Sequence, residues 1–490
     1  MRPSKQMQES KDASLPTFKA AQFALIDPPE CDMIMKGGIT SGIVYPYAVL
    51  QIATMYRLRS LGGTSAGAIA AAFAAAAEYG RLNGRPEAFL ILKDYCDKLP
   101  AQLSSLFQAS PELEPAVRLV QSVAASGSVW PVVRTVLGFG AIFALTGSIA
   151  LGVISHSFDP NPYPTFLAAG AGALFGLISG LCHSTYTRVL SPLRKVARVL
   201  PQQEFGFCTG LTQPGNSEQG LTDWIHSAIQ HIAFGDKNHP TPLTFGHLQG
   251  PNPDKPEIDL KVVTTNLSMR RPHTLPRLGV RAGYFPSKWQ KIFPEPVMQY
   301  LADCGSRPWR RHKDAWIFPY EEKLPVVVAV RMSLSFPVLF TAVPLQVEDR
   351  ELPSIVNSLG GKPYKRIRTA LFSDGGISSN FPIHMFDGPL PVRPTFAFSL
   401  EDLLWDHREV KTRVALPRTA GEGMGVQVKQ ICTFKDFGWQ VLSSAKDWQD
   451  QLLSEMPTRE SRTDLLNEER GRSQFVDAAP CVATTNGLGL

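Results

Sequence analysis

Several function classes fail for want of the residues they need. Cysteines number only seven in 490 residues, odd in count and widely spread, with no C-x-x-C pair. That excludes a disulfide framework and gives no dithiol or zinc-knuckle signature; it reads as a chain of a reducing compartment. Long lysine or arginine runs are missing and the net charge is only +6, so nothing in the composition points to nucleic acid, although a basic face towards anionic lipid stays open. The opening segment MRPSKQMQESKDASLPTFKAAQ lacks the apolar core of a secretory signal. No internal repeat and no metal-ligand cluster is visible, and neither metal nor cofactor is expected. Charged residues, at 19%, are scarce for a globular chain and hint at unusual apolar segments.

What is present divides the chain. Residues 1–28 read as a flexible lead-in. From Asp32 the pattern alternates: "DMIM" as a strand, "KGGITSG" as a glycine loop, and "IVYPYAVLQIATMYRL" as a helix with Pro46 near its first turn. Then follow "LRSLG" as a strand and "AGAIAAAFAAAAEYG" as a helix ended by Gly80. Strands return at "IDLKVVTTNL", at "LPVVVAVRMSLSFPVLF", read as a strand leading into a helix, at "KRIRTALFSDGG" and at "PTFAFSL". Such alternation is an α/β sheet. Two core parts, 29–120 and 258–402, are separated by an apolar segment at 121–200 and an irregular, Pro- and Gly-rich insertion at 201–257; 403–490 reads as helical, then polar.

The apolar segment holds two uncharged runs, 136–154 and 166–182, each near the length that spans a bilayer core of about 30 Å. Small residues recur every fourth position: Gly140, Ala144, Ser148 and Gly152 in the first run, Ala168, Gly172, Gly176 and Gly180 in the second. Arg118 and Arg134 precede the pair and Arg188, Arg194, Lys195 and Arg198 follow it, while the turn between has no lysine or arginine. The expectation is a multi-pass membrane protein with both outer ends, and the catalytic region, on the cytoplasmic side. A hairpin buried in a soluble core, or lying in the interface, is the alternative.

Three glycine-bearing turns follow strand-like runs. Ser65 stands in Gly63-Thr64-Ser65-Ala66-Gly67, the G-x-S-x-G pattern that sets a serine on a sharp turn at a helix start. Alone, the pattern equally suits an ordinary N-cap. Upstream, Gly37-Gly38-Ile39-Thr40-Ser41-Gly42 suits a loop aiming backbone N–H groups at an oxyanion, or a plain turn; no Walker lysine-serine pair follows it. Downstream, Asp374-Gly375-Gly376 places a carboxylate where it can serve as a base, or simply turns the chain. Together they favour a serine nucleophile. A Ser-His-Asp arrangement would need a late histidine, for which His384 and His407 are available. The stretch "SRPWRRHKDAWIF", with Trp309, Trp316, Arg310, Arg311 and Lys313, suits lipid headgroups or a solvated loop and is assigned no site.

These residues, with "AVRMSLSFPVLF" at 329–340 and "DGGISSNFP" at 374–382, resemble the patatin-like phospholipases. The resemblance implies a three-layer α/β/α core bearing an inserted helical hairpin, and a serine carboxylic-ester hydrolase acting on membrane phospholipid or another lipid ester. It makes Ser65 the nucleophile, Asp374 its base, and the N–H groups at Gly37, Gly38 and Ile39 the oxyanion hole, with Gly42, Gly63, Gly67, Gly375 and Gly376 shaping the turns. Where many relatives have a third glycine and a basic residue in the oxyanion loop, this chain has Ile39 and Ser41. A catalytically inert lipid-binding scaffold is therefore the non-enzymatic alternative.

Overall fold

A strand buried along nearly its whole length is covered on both faces, and the first two strands are, although the second carries two arginines and two glycines. The computed structural model describes residues 17–38, 41–118, 130–158, 161–309, 314–348, 367–386 and 392–398. The strands of its main sheet are β1 (Glu30–Met35), β2 (Arg57–Gly63), β3 (Asp259–Asn266), β4 (Arg271–Leu275), β5 (Ala282–Tyr284), β6 (Trp316–Ile317), β7 (Val343–Glu348), β8 (Ile367–Ser373) and β9 (Thr395–Phe398); the short strands Gly206–Cys208 and Val338–Phe340 lie outside it. The main sheet is mixed, in the order β9-β1-β2-β3-β8-β7-β5-β6, with β4 paired to β3. The run from β9 to β3 is parallel; β8, β7, β5 and β6 continue it antiparallel. The protein is thus α/β with a central mixed sheet.

Helices α1 (Ser41–Ala53), α2 (Ala66–Leu82), α3 (Ala88–Leu106), α4 (Leu221–Phe234) and α5 (Val326–Ser333) belong with this sheet. Alanine dominates α2, and nearly the whole helix is buried. Small side chains let its backbone approach its neighbours closely: a Cβ on Gly67 would collide with the Met35 carbonyl at the end of β1, and one on Gly80 would meet Ala88 at 2.6 Å. Phe73 on α2 reaches Trp224 on α4, ring centroids 5.6 Å apart. Glu78, fully buried, is kept there by Arg81, and its second role is to accept the Leu58 N–H of β2 at 3.3 Å. Burial pushes the Glu78 carboxyl above its usual range, with Arg81 opposing.

The chain divides into two compact units, residues 1–108 with 210–484, and residues 109–209. In the second, Trp130–Phe158 and Pro162–Thr185 are helices packed through glycine. Among the described residues, two helices are long and apolar enough to cross a membrane, Val133–Phe158 and Pro162–Gln203. Gly172, Gly176 and Gly180 are buried in their contact, as their spacing implies. On the first helix Gly140, Ala144, Gly147 and Gly152 lie against this seam, and a Cβ on Gly147 would collide with the Gly172 carbonyl. The opposite faces expose Leu137, Ile142, Leu145, Ile149, Phe166, Phe175 and Ile178.

The structure departs from the sequence reading at several places. Val326–Ser333 is a helix, not a strand; all of its residues are buried, so no polar face marks its 3.6-residue period. Residues 201–257 are not wholly irregular: α4 carries Trp224, Ile225, Ala228, Ile229 and Ile232 into the core. Gly80 lies inside α2 as a packing residue, and the helix ends at Leu82. Pro46 is one turn deeper than expected, since α1 begins at Ser41. In the lead-in, Phe23 is fully buried and stacks on Phe89 with ring centroids 4.8 Å apart, which fixes residues 20–23. Trp309 is buried, while Arg310, Arg311 and Lys313 lie outside the described residues, as do Ile39, His407 and the whole of 403–490.

Candidate active site

Ser65 follows β2 and precedes α2, and its backbone is the first sign that it is no ordinary cap. At φ 53° and ψ −127° it occupies a region that a non-glycine residue avoids, whereas an N-cap is normally extended. Its side chain makes no capping hydrogen bond. The turn closes tightly enough that a Cβ on Gly63 would overlap the Gly67 carbonyl, which accounts for the first glycine of the motif; the Met35 carbonyl accounts for the second. Ser65 is 9% exposed, at the positive end of a 17-residue helix.

Strand order sets the Asp374 turn beside this one. Gly63 pairs with Val262 on one edge of β3, and Ser373 pairs with Thr265 in the antiparallel sense. Ser65 stands two residues past the end of β2 and Asp374 one residue past the end of β8, and the strands they follow flank β3, two strand spacings or about 10 Å apart. Thr264 is fully buried and donates to the Ser373 carbonyl at 2.9 Å. Asp374 heads a short 3-10 turn; its Oδ1 accepts the Gly376 N–H at 2.8 Å, and Thr265 Oγ1 donates to its carbonyl at 2.8 Å.

Two residues with no assigned role in the sequence reading tie these turns together. Ser333, at the end of α5, accepts the Ser65 N–H on its Oγ at 3.0 Å, and the same oxygen lies 3.1 Å from where a Cβ on Gly375 would sit. Asn380 accepts the Gly37 N–H at 2.9 Å and the Thr64 hydroxyl at 2.8 Å on its backbone carbonyl. Its Oδ1 lies 2.5 Å from a Cβ built on Gly37 and 2.8 Å from one built on Gly376, so neither glycine has room for a side chain. Gly37, Thr64, Asn380, Ser65 and Ser333 are thus linked with the Gly375-Gly376 turn that follows Asp374. Beneath them, the fully buried Arg331 donates to Ser335 Oγ at 2.5 Å and to the Thr341 carbonyl at 3.0 Å. The Ser335 carbonyl in turn accepts the Asp374 N–H at 3.0 Å and the Ser373 hydroxyl at 2.7 Å.

Of the expected oxyanion loop, Gly37 and Gly38 lie just past β1, Gly42 is in the first turn of α1, and Ile39 is outside the described residues. His384 is exposed on the turn Ile383–Phe386. Among the described residues no group of three His, Cys, Asp or Glu side chains is placed to hold a metal ion. The signal for Ser333 and Asn380 was in the sequence, as polar residues inside "AVRMSLSFPVLF" and "DGGISSNFP", but their partners are distant in the chain.

A curated relative supplies the family. The RpoH suppressor of Rhizobium meliloti (strain 1021) is 32% identical over 493 aligned positions, covering 88% of this chain and 76% of that protein. The chain belongs to the RpoH suppressor family. No protein-family model matches it. Among solved structures, VipD from Legionella pneumophila aligns at 16% identity with a TM-score of 0.27, over 76% of this chain; the chain spans about half, 49%, of the VipD chain. That TM-score is too low to imply a shared fold. For the RpoH suppressor family, then, the chemistry rests on the site itself.

Proposed function

We propose that the protein is a membrane-associated lipid acyl hydrolase with a patatin-like three-layer core, using Ser65 as nucleophile and Asp374 as base. The single observation that carries this reading is the convergence of a positive-φ serine turn and an Asp-Gly-Gly turn on opposite sides of β3, joined through Ser333. A strained serine at a helix start, with small neighbours, is arranged for attack on a carbonyl. The Gly376 N–H on Asp374 Oδ1 fixes the carboxylate plane.

In the reaction, Ser65 Oγ attacks the ester carbonyl while Asp374 takes its proton. Backbone N–H groups at the α2 N-terminus, with the Gly38 turn beside them, stabilise the oxyanion; the Gly37 N–H, expected to share that role, is instead taken by the Asn380 carbonyl. Collapse of the tetrahedral intermediate expels the alcohol, protonated by Asp374, and leaves an acyl-Ser65. Asp374 then deprotonates a water that attacks the acyl-enzyme, releasing fatty acid and returning the proton to Ser65. The substrate is a phospholipid or other lipid ester, and no cofactor takes part.

The apolar hairpin supports membrane attachment: its outward faces expose large aliphatic side chains that water would not favour. In this reading the two helices span the bilayer as a multi-pass hairpin and the catalytic unit lies on the cytoplasmic side. The test is release of alcohol from short nitrophenyl esters and phospholipids by detergent-purified wild type, Ser65→Ala and Asp374→Asn. Turnover by wild type alone is expected; equal background release from all three would make the protein an inert lipid-binding scaffold. Full activity in Asp374→Asn with loss in His384→Ala would instead make it a Ser-His-Asp esterase.

A further inference from the structure

The first two helices after the site enclose a small apolar slot of about 30 Å³. Pro46 and Val49 of α1 form one wall, Ile69, Ala70 and Phe73 of α2 another, and Leu92 and Trp224 close it from α3 and α4. No charged side chain lines it. Cys96 also borders it, and burial raises its thiol well above the usual range, so it behaves as one more apolar surface.

The position of the slot suggests its occupant. Helix α1 begins just beyond the Gly37-Gly38 loop and α2 begins just beyond Ser65. At a rise of 1.5 Å per residue, Ile69 lies about 6 Å along α2 from Ser65, and Phe73 about 12 Å. The near end of the slot is thus about one helical turn from the nucleophile, between two helices that both start at the site. A dry cavity of this composition takes up apolar groups and not water. We propose that it receives the acyl chain of the ester whose carbonyl Ser65 attacks, so that the slot reads chain length from the acid side of the substrate. This deepens the hydrolase reading and rests on it. The cavity holds about the volume of one water molecule in the liquid. A short chain end fits as it stands; a longer chain requires Phe73 or Leu92 to move.

The experiment compares nitrophenyl acetate with the octanoate and dodecanoate in detergent-purified protein. Ala70→Leu fills the slot, and octanoate kcat/KM is expected to fall by about tenfold or more, with acetate within about twofold of wild type. Phe73→Ala opens it and raises the dodecanoate-to-acetate ratio by a similar factor. Unchanged chain-length ratios in both variants overturn the slot. Bromo-octanoate quenching of Trp224, taken as the difference between Ser65→Ala and Ser65→Ala/Trp224→Phe, reads occupancy without turnover, and so also covers a variant that misfolds. Quenching with no turnover by wild type retains the slot and rejects the hydrolase reading. Turnover that depends on Ser65, with no quenching and flat ratios, does the reverse.

Discussion

Replacing Ser333 by alanine tests whether Ser65, the proposed nucleophile, is held by a residue 268 positions away. Ser65 stands at φ 53°, a conformation that costs a non-glycine residue about 1–3 kcal/mol. Its N–H is buried, and the acceptor the structure gives it is Ser333 Oγ at 3.0 Å. Removing that oxygen strands the donor, at a cost of about 1–3 kcal/mol. If the loss falls on the geometry of attack, kcat drops by about 5- to 150-fold. If it falls on the folded state as a whole, the urea midpoint moves and kcat does not. We expect the former, because the hydrogen bond lost is made at the Ser65 turn itself, while the sheet beneath is held by its own ladder. The assay is the rate of covalent labelling by a fluorophosphonate, with ester kcat and KM and a urea melt on the same samples. Ser333→Cys, which keeps a weak acceptor, should fall between wild type and alanine. Labelling and kcat within twofold of wild type in Ser333→Ala, with Ser65→Ala unlabelled, would refute the coupling; so would a change confined to KM.

Three further outcomes follow from the packing. Gly67→Ala should destabilise the fold by about 1–3 kcal/mol, read from the urea midpoint, because the new Cβ meets the Met35 and Lys36 carbonyls, backbone that cannot yield. In the hairpin, Gly176→Ile should lower the melting temperature in detergent, since its Cβ would overlap the Phe143 carbonyl, whereas Gly170→Ile, with open space around it, should not. His226 is buried and its imidazole is pushed down to about 4 by that burial, against the opposing pull of Asp223. Below its unfolded pKa the unfolded chain binds a proton that the folded chain refuses. Stability is therefore lost as pH falls from about 6.5 to about 4, by on the order of 3 kcal/mol, and a His226→Gln protein should melt with a shallower acid dependence.

Local pattern sufficed for much of this. The strands at β1, β2, β3, β8 and β9, and the small-residue seam of the second hairpin helix, follow from hydrophobic runs and spacing, because each is decided by neighbours within a few residues. The three glycine turns were visible for the same reason: a chain that must bend sharply beside backbone can use little else. Burial on all sides defeated the reading of α5, since a helix with no solvent face loses its period; α4 keeps a half-exposed face of Asp223, Ser227 and His231 and was overlooked only because prolines and glycines dominate the stretch around it. The geometry of Ser65 lay beyond the sequence. Its N–H is accepted by Ser333, and its turn is set beside that of Asp374 by strand order across β3. Those are pairings between residues hundreds of positions apart, which only closure of the sheet brings together.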